Sequence, residues 1–264
     1  MNSAAKQPIG IFDSGIGGTS VWKEISQLLP FENTIYLADS KNAPYGQKTE
    51  EQIKQLSIKN TEFLLNKNCK LIVVACNTAT TNAIKYLREN YSIPFVGIEP
   101  AIKPASLNTK TKKIGILATK GTLNSDLFAT SLNNINQEIN IVERIGEGIV
   151  ELIENGKLVS NEMTQLLEKH LNYLLKYDID FLVLGCTHYP YLIPQIQKII
   201  GPRITIIDSG QAVAQQTKRV LEKHNLLNTD TSNNSSIFYS NTNTDVLTYM
   251  LGNNPDFKIE RLDF

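Results

Sequence analysis

Eight short runs rich in Ile, Val, Leu and Phe punctuate the chain, at residues 8–12, 33–37, 71–75, 94–98, 113–117, 181–185, 204–207 and 237–239. They are mostly apolar throughout rather than alternating. A strand solvated on one face alternates with a period of two, so unbroken runs of this length predict strands covered on both faces, as in a parallel sheet. Helical spacing fills the intervals at 50–66, 79–90, 123–133, 147–155, 161–176, 192–200 and 210–225. Within 161–176, Met163, Leu166, Leu167, Leu171 and Leu174 recur at three- and four-residue steps with charges between them. Strand and helix in alternation predict α/β architecture. A polar connector at 227–235 is expected to lead into a further short strand and helix.

Three strand ends recur in order, offset by between 105 and 110 residues. IGIFDS at 9–14 matches IGILAT at 114–119, LIVVACNT at 71–78 matches FLVLGCTH at 181–188, and Ile98-Glu99 matches Ile207-Asp208. An ordered set at nearly one offset predicts two similar halves. At 264 residues, 41% hydrophobic, the chain can bury either one large core or two ordinary ones.

Groups just beyond the carboxyl ends of parallel strands face the ligand crevice. Asp13, Ser14, Cys76, Asn77, Thr78, Thr119, Cys186, Thr187 and His188 all hold that position. Halves facing each other by pseudo-twofold symmetry would bring Cys76 and Cys186 into one cleft from opposite sides. Two thiols on opposite faces of one carbon suit a two-base proton transfer, in which a thiolate removes a proton and a thiol returns one from the other side. His188, two residues after Cys186, and Asp13, at another strand end, are the expected helpers. Backbone N–H groups of helices after Ser14, Thr78 and Thr187 would receive the developing charge.

Other features constrain the class. Acidic and basic residues balance at 26 each, which argues against a nucleic-acid or anionic-membrane partner. The N-terminal MNSAAKQPIGIF has no apolar signal segment and no run approaches a membrane span, so a cytoplasmic protein is expected. Three cysteines in a reducing compartment, with neither CxxC nor a His-x-x-x-His pair, predict no disulfide and no metal. Cys69 reads as a core residue, and His170 and His224 as structural. Asp13 also reads as an N-cap for a helix starting near Gly15. Gly15, Gly17 and Gly18 make a weak phosphate-loop signal, with Ser20 at the third glycine position and no Walker lysine; a carboxylate at that helix N-terminus fits better. On the residues alone, Tyr45 reads as turn packing after Pro44.

FDSGIGG, PYG, ACNTAT and GCTHYPYL, in this order from Ile9 to about Gly210, resemble the cofactor-independent Asp/Glu racemase family, and within it the glutamate branch. The resemblance implies L- and D-glutamate as substrate, supply of D-glutamate for peptidoglycan, and no cofactor. It implies a first α/β domain from residues 1–98 with 208–264, a second from 99–207, and a homodimer. Cys76 would take the proton from D-glutamate and Cys186 from L-glutamate, assisted by Asp13 and His188. Asp13, Ser14, Tyr45, Gly46, Asn77, Thr78, Thr187 and His188 would bind substrate. The TKGT turn adds Thr119 and Thr122, which match the family more loosely. RIGEGIVELIENG departs from the family's Pro-containing run. Its Glu154 aligns with the family's second-domain glutamate, with Glu151 one turn away. An aspartate racemase, a silent amino-acid-binding regulator and a thiol–disulfide redox protein stay open as alternatives.

Overall fold

In the computed structural model, residues 3–136, 138–231, 234–252 and 254–264 are described. The first part of the chain runs β1 (Ile9–Asp13), α1 (Thr19–Leu28), β2 (Thr34–Ala38), α2 (Glu50–Asn66), β3 (Leu71–Val74), α3 (Asn77–Asn90) and β4 (Phe95–Gly97). It continues through α4 (Ile102–Asn108), β5 (Lys113–Ala118), α5 (Lys120–Leu123), α6 (Asp126–Asn133), β6 (Asn140–Ile145), α7 (Ile149–Glu154) and α8 (Asn161–Leu175). The last part is β7 (Phe181–Gly185), α9 (Ile193–Ile200), β8 (Thr205–Ile207), α10 (Gly210–Lys223), β9 (Ser236–Ser240), α11 (Asp245–Leu251) and β10 (Phe257–Arg261).

These strands form two sheets, ordered β10-β9-β2-β1-β3-β4 and β6-β5-β7-β8. Every pairing is parallel. The order β2-β1-β3-β4 is repeated as β6-β5-β7-β8, so the three matched strand ends belong to equivalent strands. Leu71, Ile72, Val73 and Val74 of β3 are wholly buried, each contributing about 1.5–3 kcal/mol of hydrophobic stabilisation. One apolar cluster runs from Ile9, Ile11 and Tyr36 of the first sheet to Leu171 and Leu182 beside the second.

Two strands are absent from the apolar runs. β6 and β10 are edge strands, and their NIVERI and FKIER sequences mix charge with apolar residues because only part of each strand is covered. Helix starts also differ. α1 begins at Thr19, not near Gly15, because the glycine turn intervenes. α3 begins at Asn77 with Cys76 as its N-cap, so Thr78 lies inside its first turn. The expected helix at 123–133 is two, since Ser125 caps a fresh start by accepting from the Phe128 N–H. Thr187 is followed by a 3-10 turn, Tyr189–Leu192, before α9. Of the polar connector, Ser232 and Asn233 lie outside the described residues.

A buried ion pair fixes the far end of the first sheet. The Lys70 ammonium contacts Glu32, their side chains 0% and 1% exposed, and also donates to the Ala5 carbonyl at 2.5 Å. Glu32 in turn accepts from the Asn228 N–H at 2.8 Å. Lys70→Met strands the carboxylate and is expected to cost roughly 3–5 kcal/mol. Chemical denaturation would measure it, and Glu32→Gln in the same chain should recover part of the loss.

Candidate active site

The carboxyl ends of the two sheets meet, and the residues at those ends bond across the gap. Thr187 donates through its hydroxyl to Asp13 Oδ1 at 3.3 Å, and Ser20 donates to the Thr187 carbonyl at 2.9 Å. Thr78, Thr119 and Thr122 form a hydroxyl triangle at 2.8, 3.0 and 3.3 Å. Asn82 reaches the Gly121 carbonyl at 3.1 Å. Thr119 and Thr122 thus join the first-sheet helix α3 to the turn after β5.

Cys76 follows β3 and Cys186 follows β7; they are 4% and 7% exposed. Both are free thiols, close enough for their charges to interact. Cys76 Sγ accepts from the Ala79 N–H at 3.4 Å. Asp13 and Ser14 are the polar side chains that act on that thiol from the end of β1. Burial, reinforced by the Asp13 charge, pushes the Cys76 thiol well above the ordinary range. Asp13 is fully buried and is itself raised by desolvation, which outweighs the His188 charge and the Gly18 N–H. Its Oδ2 accepts from the Gly18 N–H at 2.9 Å and the Gly15 N–H at 3.3 Å. The capping role therefore falls on the glycine turn.

Cys186 has a different helper. Its Sγ lies 3.7 Å from His188 Nδ1, and His188 Nε2 lies 2.5 Å from Glu154 Oε1. Burial alone would lower the His188 pKa, but its bonds to Cys186 and Glu154 outweigh that and lift it well above the imidazole range. Glu154 Oε1 also accepts from the Ile16 N–H at 2.7 Å, and Oε2 accepts from the Ser40 hydroxyl at 2.7 Å. Glu151 takes another path, accepting from Gln47 Nε2 at 2.5 Å on the exposed rim. Of the two acids one turn apart, Glu154 is therefore the partner of His188.

Asn77 is buried, and neither its side-chain oxygen nor its nitrogen has a hydrogen-bond partner among the described residues. An amide left unpaired in such a place is costly unless a ligand completes it. Tyr45 is 1% exposed, its hydroxyl donating to Asp39 and accepting from Asn60 at 3.1 Å. Its ring holds the turn from below, while Gly46 approaches Thr119 too closely for a Cβ. Ser40 is legible as a repeat of the strand-end signal: Asp39-Ser40 closes β2 as Asp13-Ser14 closes β1. Cys69 packs away from the cleft against Gly10, and burial pushes its thiol up to about 12. His170 lies between Arg144 Nε at 3.0 Å and the Glu147 carbonyl at 3.0 Å, and His224 ends α10. Among the described residues no group of three or more His, Cys, Asp or Glu is placed to hold a metal, and no helix is long and apolar enough to cross a membrane.

The profile of the Asp/Glu/Hydantoin racemase family matches residues 9–217. Glutamate racemase from Herpetosiphon aurantiacus is 46% identical over 229 residues, 87% of this chain and 90% of that protein. The crystal structure of glutamate racemase isoform RacE1 from Bacillus anthracis superposes with a TM-score of 0.87 at 32% identity, covering 98% of both chains. Escherichia coli glutamate racemase, in complex with L-glutamate and the activator UDP-MurNAc-Ala, superposes with a TM-score of 0.85 at 32% identity, covering 97% of this chain and 98% of that one.

Proposed function

The chain belongs to the Asp/Glu/Hydantoin racemase family, and from that premise we propose that it interconverts L- and D-glutamate by passing a proton between Cys76 and Cys186. The observation that carries this reading is the pair of buried thiols at the ends of equivalent strands, each with a separate acid–base helper. With L-glutamate, the Cys186 thiolate takes the α-proton, and the electron pair left at the α-carbon spreads into the substrate carboxylate. The Cys76 thiol then donates its proton to the opposite face. The configuration inverts, Cys186 ends as thiol and Cys76 as thiolate, and the D-to-L direction runs the same steps backwards.

The helpers differ in kind. His188, backed by Glu154 and raised by its bonds to Cys186 and Glu154, puts a cation beside the Cys186 sulfur. Cys76, raised by burial and by Asp13, is held as the thiol that must donate. The unpartnered Asn77 amide, with Ser14, Thr78 and Thr187, would bind the amino acid and meet the charge that develops on its carboxylate. Tyr45 and Gly46 would contribute the backbone of their turn, and Thr119 and Thr122 would set its distance from α3. The product D-glutamate would serve peptidoglycan synthesis. The reading includes two domains, residues 1–98 with 208–264 and residues 99–207. It also includes a cytoplasmic location, which suits three free thiols, and a homodimer.

The test is incubation with L-glutamate in deuterated water without added cofactor, and separately with L-aspartate. Optical rotation of the glutamate sample should decay to zero as deuterium enters its α-carbon, while aspartate stays unchanged. Exchange on aspartate alone, or on neither amino acid, overturns the substrate assignment.

A further inference from the structure

Glu154 belongs to α7, beside the second sheet, yet both groups that donate to it apart from His188 come from the first-sheet side. One is the Ile16 N–H in the glycine turn; the other is the hydroxyl of Ser40, just past the end of β2. Each carboxylate oxygen is thereby engaged: Oε1 by Ile16 and His188, Oε2 by Ser40. A carboxylate held at one oxygen can still turn about its last bond, since that torsion is broad and roughly two-fold. Held at both oxygens, it keeps one edge aimed at His188.

We propose that Ser40 is a positioning residue for this proton transfer: its hydroxyl locks the plane of the Glu154 carboxylate, which fixes the His188 ring beside Cys186. The inference rests on the two-thiol reading above, but the geometry it uses runs only through Ser40, Glu154 and His188. The relay therefore draws on both sheet ends, with Ile16 and Ser40 from one and Glu154 and His188 from the other. Beside Cys76, Asp13 and Ser14 come from the end of β1, in the same sheet as β3, and Thr187 reaches Asp13 from the other side.

The consequence for protonation has a definite sign. The titratable groups around His188 are Cys186 on its own segment, Glu154 from α7 and Asp13 from β1. Its imidazolium is favoured by the bonds to Cys186 and Glu154 against the cost of burial. Freeing the Glu154 carboxylate weakens one of those supports and leaves the cost of burial in place. His188 then loses its proton at lower pH, and the alkaline limb of activity moves down with it.

Three variants test this: Ser40→Ala removes the hydroxyl, Ser40→Cys replaces it with a weak donor of similar shape, and Ser40→Thr keeps it. Imidazole 15N signals followed through a pH titration give a readout independent of turnover, and three histidines make assignment simple. In Ser40→Ala the His188 midpoint should fall by about half a pH unit or more, and kcat/KM by roughly tenfold, the usual scale for losing one hydrogen bond to a charged group. Ser40→Cys should fall between, and Ser40→Thr should restore both readouts. A His188 midpoint unchanged in both Ser40→Ala and Ser40→Cys overturns the proposal, even where turnover has dropped. Whether the wild-type protein racemises glutamate is judged by the deuterium experiment, so failure of the racemase reading and failure of the Ser40 assignment are separately visible.

Discussion

Cys76→Ser and Cys186→Ser are each expected to lower racemisation by ~10²–10⁴-fold or more, the range that a positioned acid or base contributes, while leaving the thermal unfolding midpoint close to wild type. Serine matches cysteine in shape but its hydroxyl holds its proton far more tightly, so the fold survives and the proton transfer does not. The two variants should differ in what remains. Cys76→Ser keeps Cys186 with His188 and Glu154, so it should still exchange the α-proton of L-glutamate with deuterated solvent, without forming the D isomer. Cys186→Ser keeps Cys76 with Asp13 and Ser14, and should exchange D-glutamate with retention. Proton NMR of each enantiomer with each variant reads this directly. The opposite pairing would reverse the faces assigned to the two thiols. Near-wild-type racemisation by either variant would end the two-thiol mechanism.

The parts of this site that the sequence exposes are those where one residue's chemistry and its place on a strand coincide. β1, β3 and β7 are buried on both faces, so their apolar runs mark where each strand ends and which side chains come next. That locates Asp13, Cys76, Cys186 and His188. β6 obeys other rules: as an edge strand it carries Glu143 and Arg144, and the charges hide it from an apolar-run criterion. The repeat nevertheless implies such a strand, since a second half built like the first requires a counterpart to β2. Edge position, not low strand tendency, is what conceals it.

Long-range pairing is what linear reading cannot supply. Glu151 and Glu154 differ in sequence by one helical turn, and both carry the same chemistry. Their neighbours in the fold separate them: Glu154 meets the Ile16 N–H and Ser40 from the first-sheet side and His188 from the second, whereas Glu151 meets the exposed Gln47. Tyr45 shows the converse. Its place in PYG points to the cleft, while its hydroxyl belongs to a buried network with Asp39 and Asn60. The motif marks the turn; the ring supports it from the core.

Gly17→Ala should be nearly as damaging as loss of a thiol, with no reacting atom removed. A Cβ at Gly17 would overlap Nδ1, Cγ and Cε1 of the His188 ring, and one at Gly15 would overlap the Glu154 carboxylate. The glycines of the GIGG turn are therefore spaces into which the relay fits, which is why a phosphate-loop reading of them is unnecessary. The imidazole is rigid and is held at Nε2 by Glu154, so it cannot yield by bending an end atom; it must leave the position beside Cys186. A fall in kcat/KM of ~10²–10⁴-fold is expected, as for removal of a general acid–base group. Gly201→Ala is the control. That residue has a positive φ of 74°, but nothing lies within 4 Å of the new Cβ, so it should cost stability without costing turnover. The decisive comparison is the double variant Gly17→Ala with His188→Ala. If the glycine acts through the imidazole, the pair should be no slower than His188→Ala alone, because the methyl then occupies space already vacated. Additive losses would mean that Gly17 serves the reaction by some route other than His188, and that the GIGG turn is not the seat of the relay.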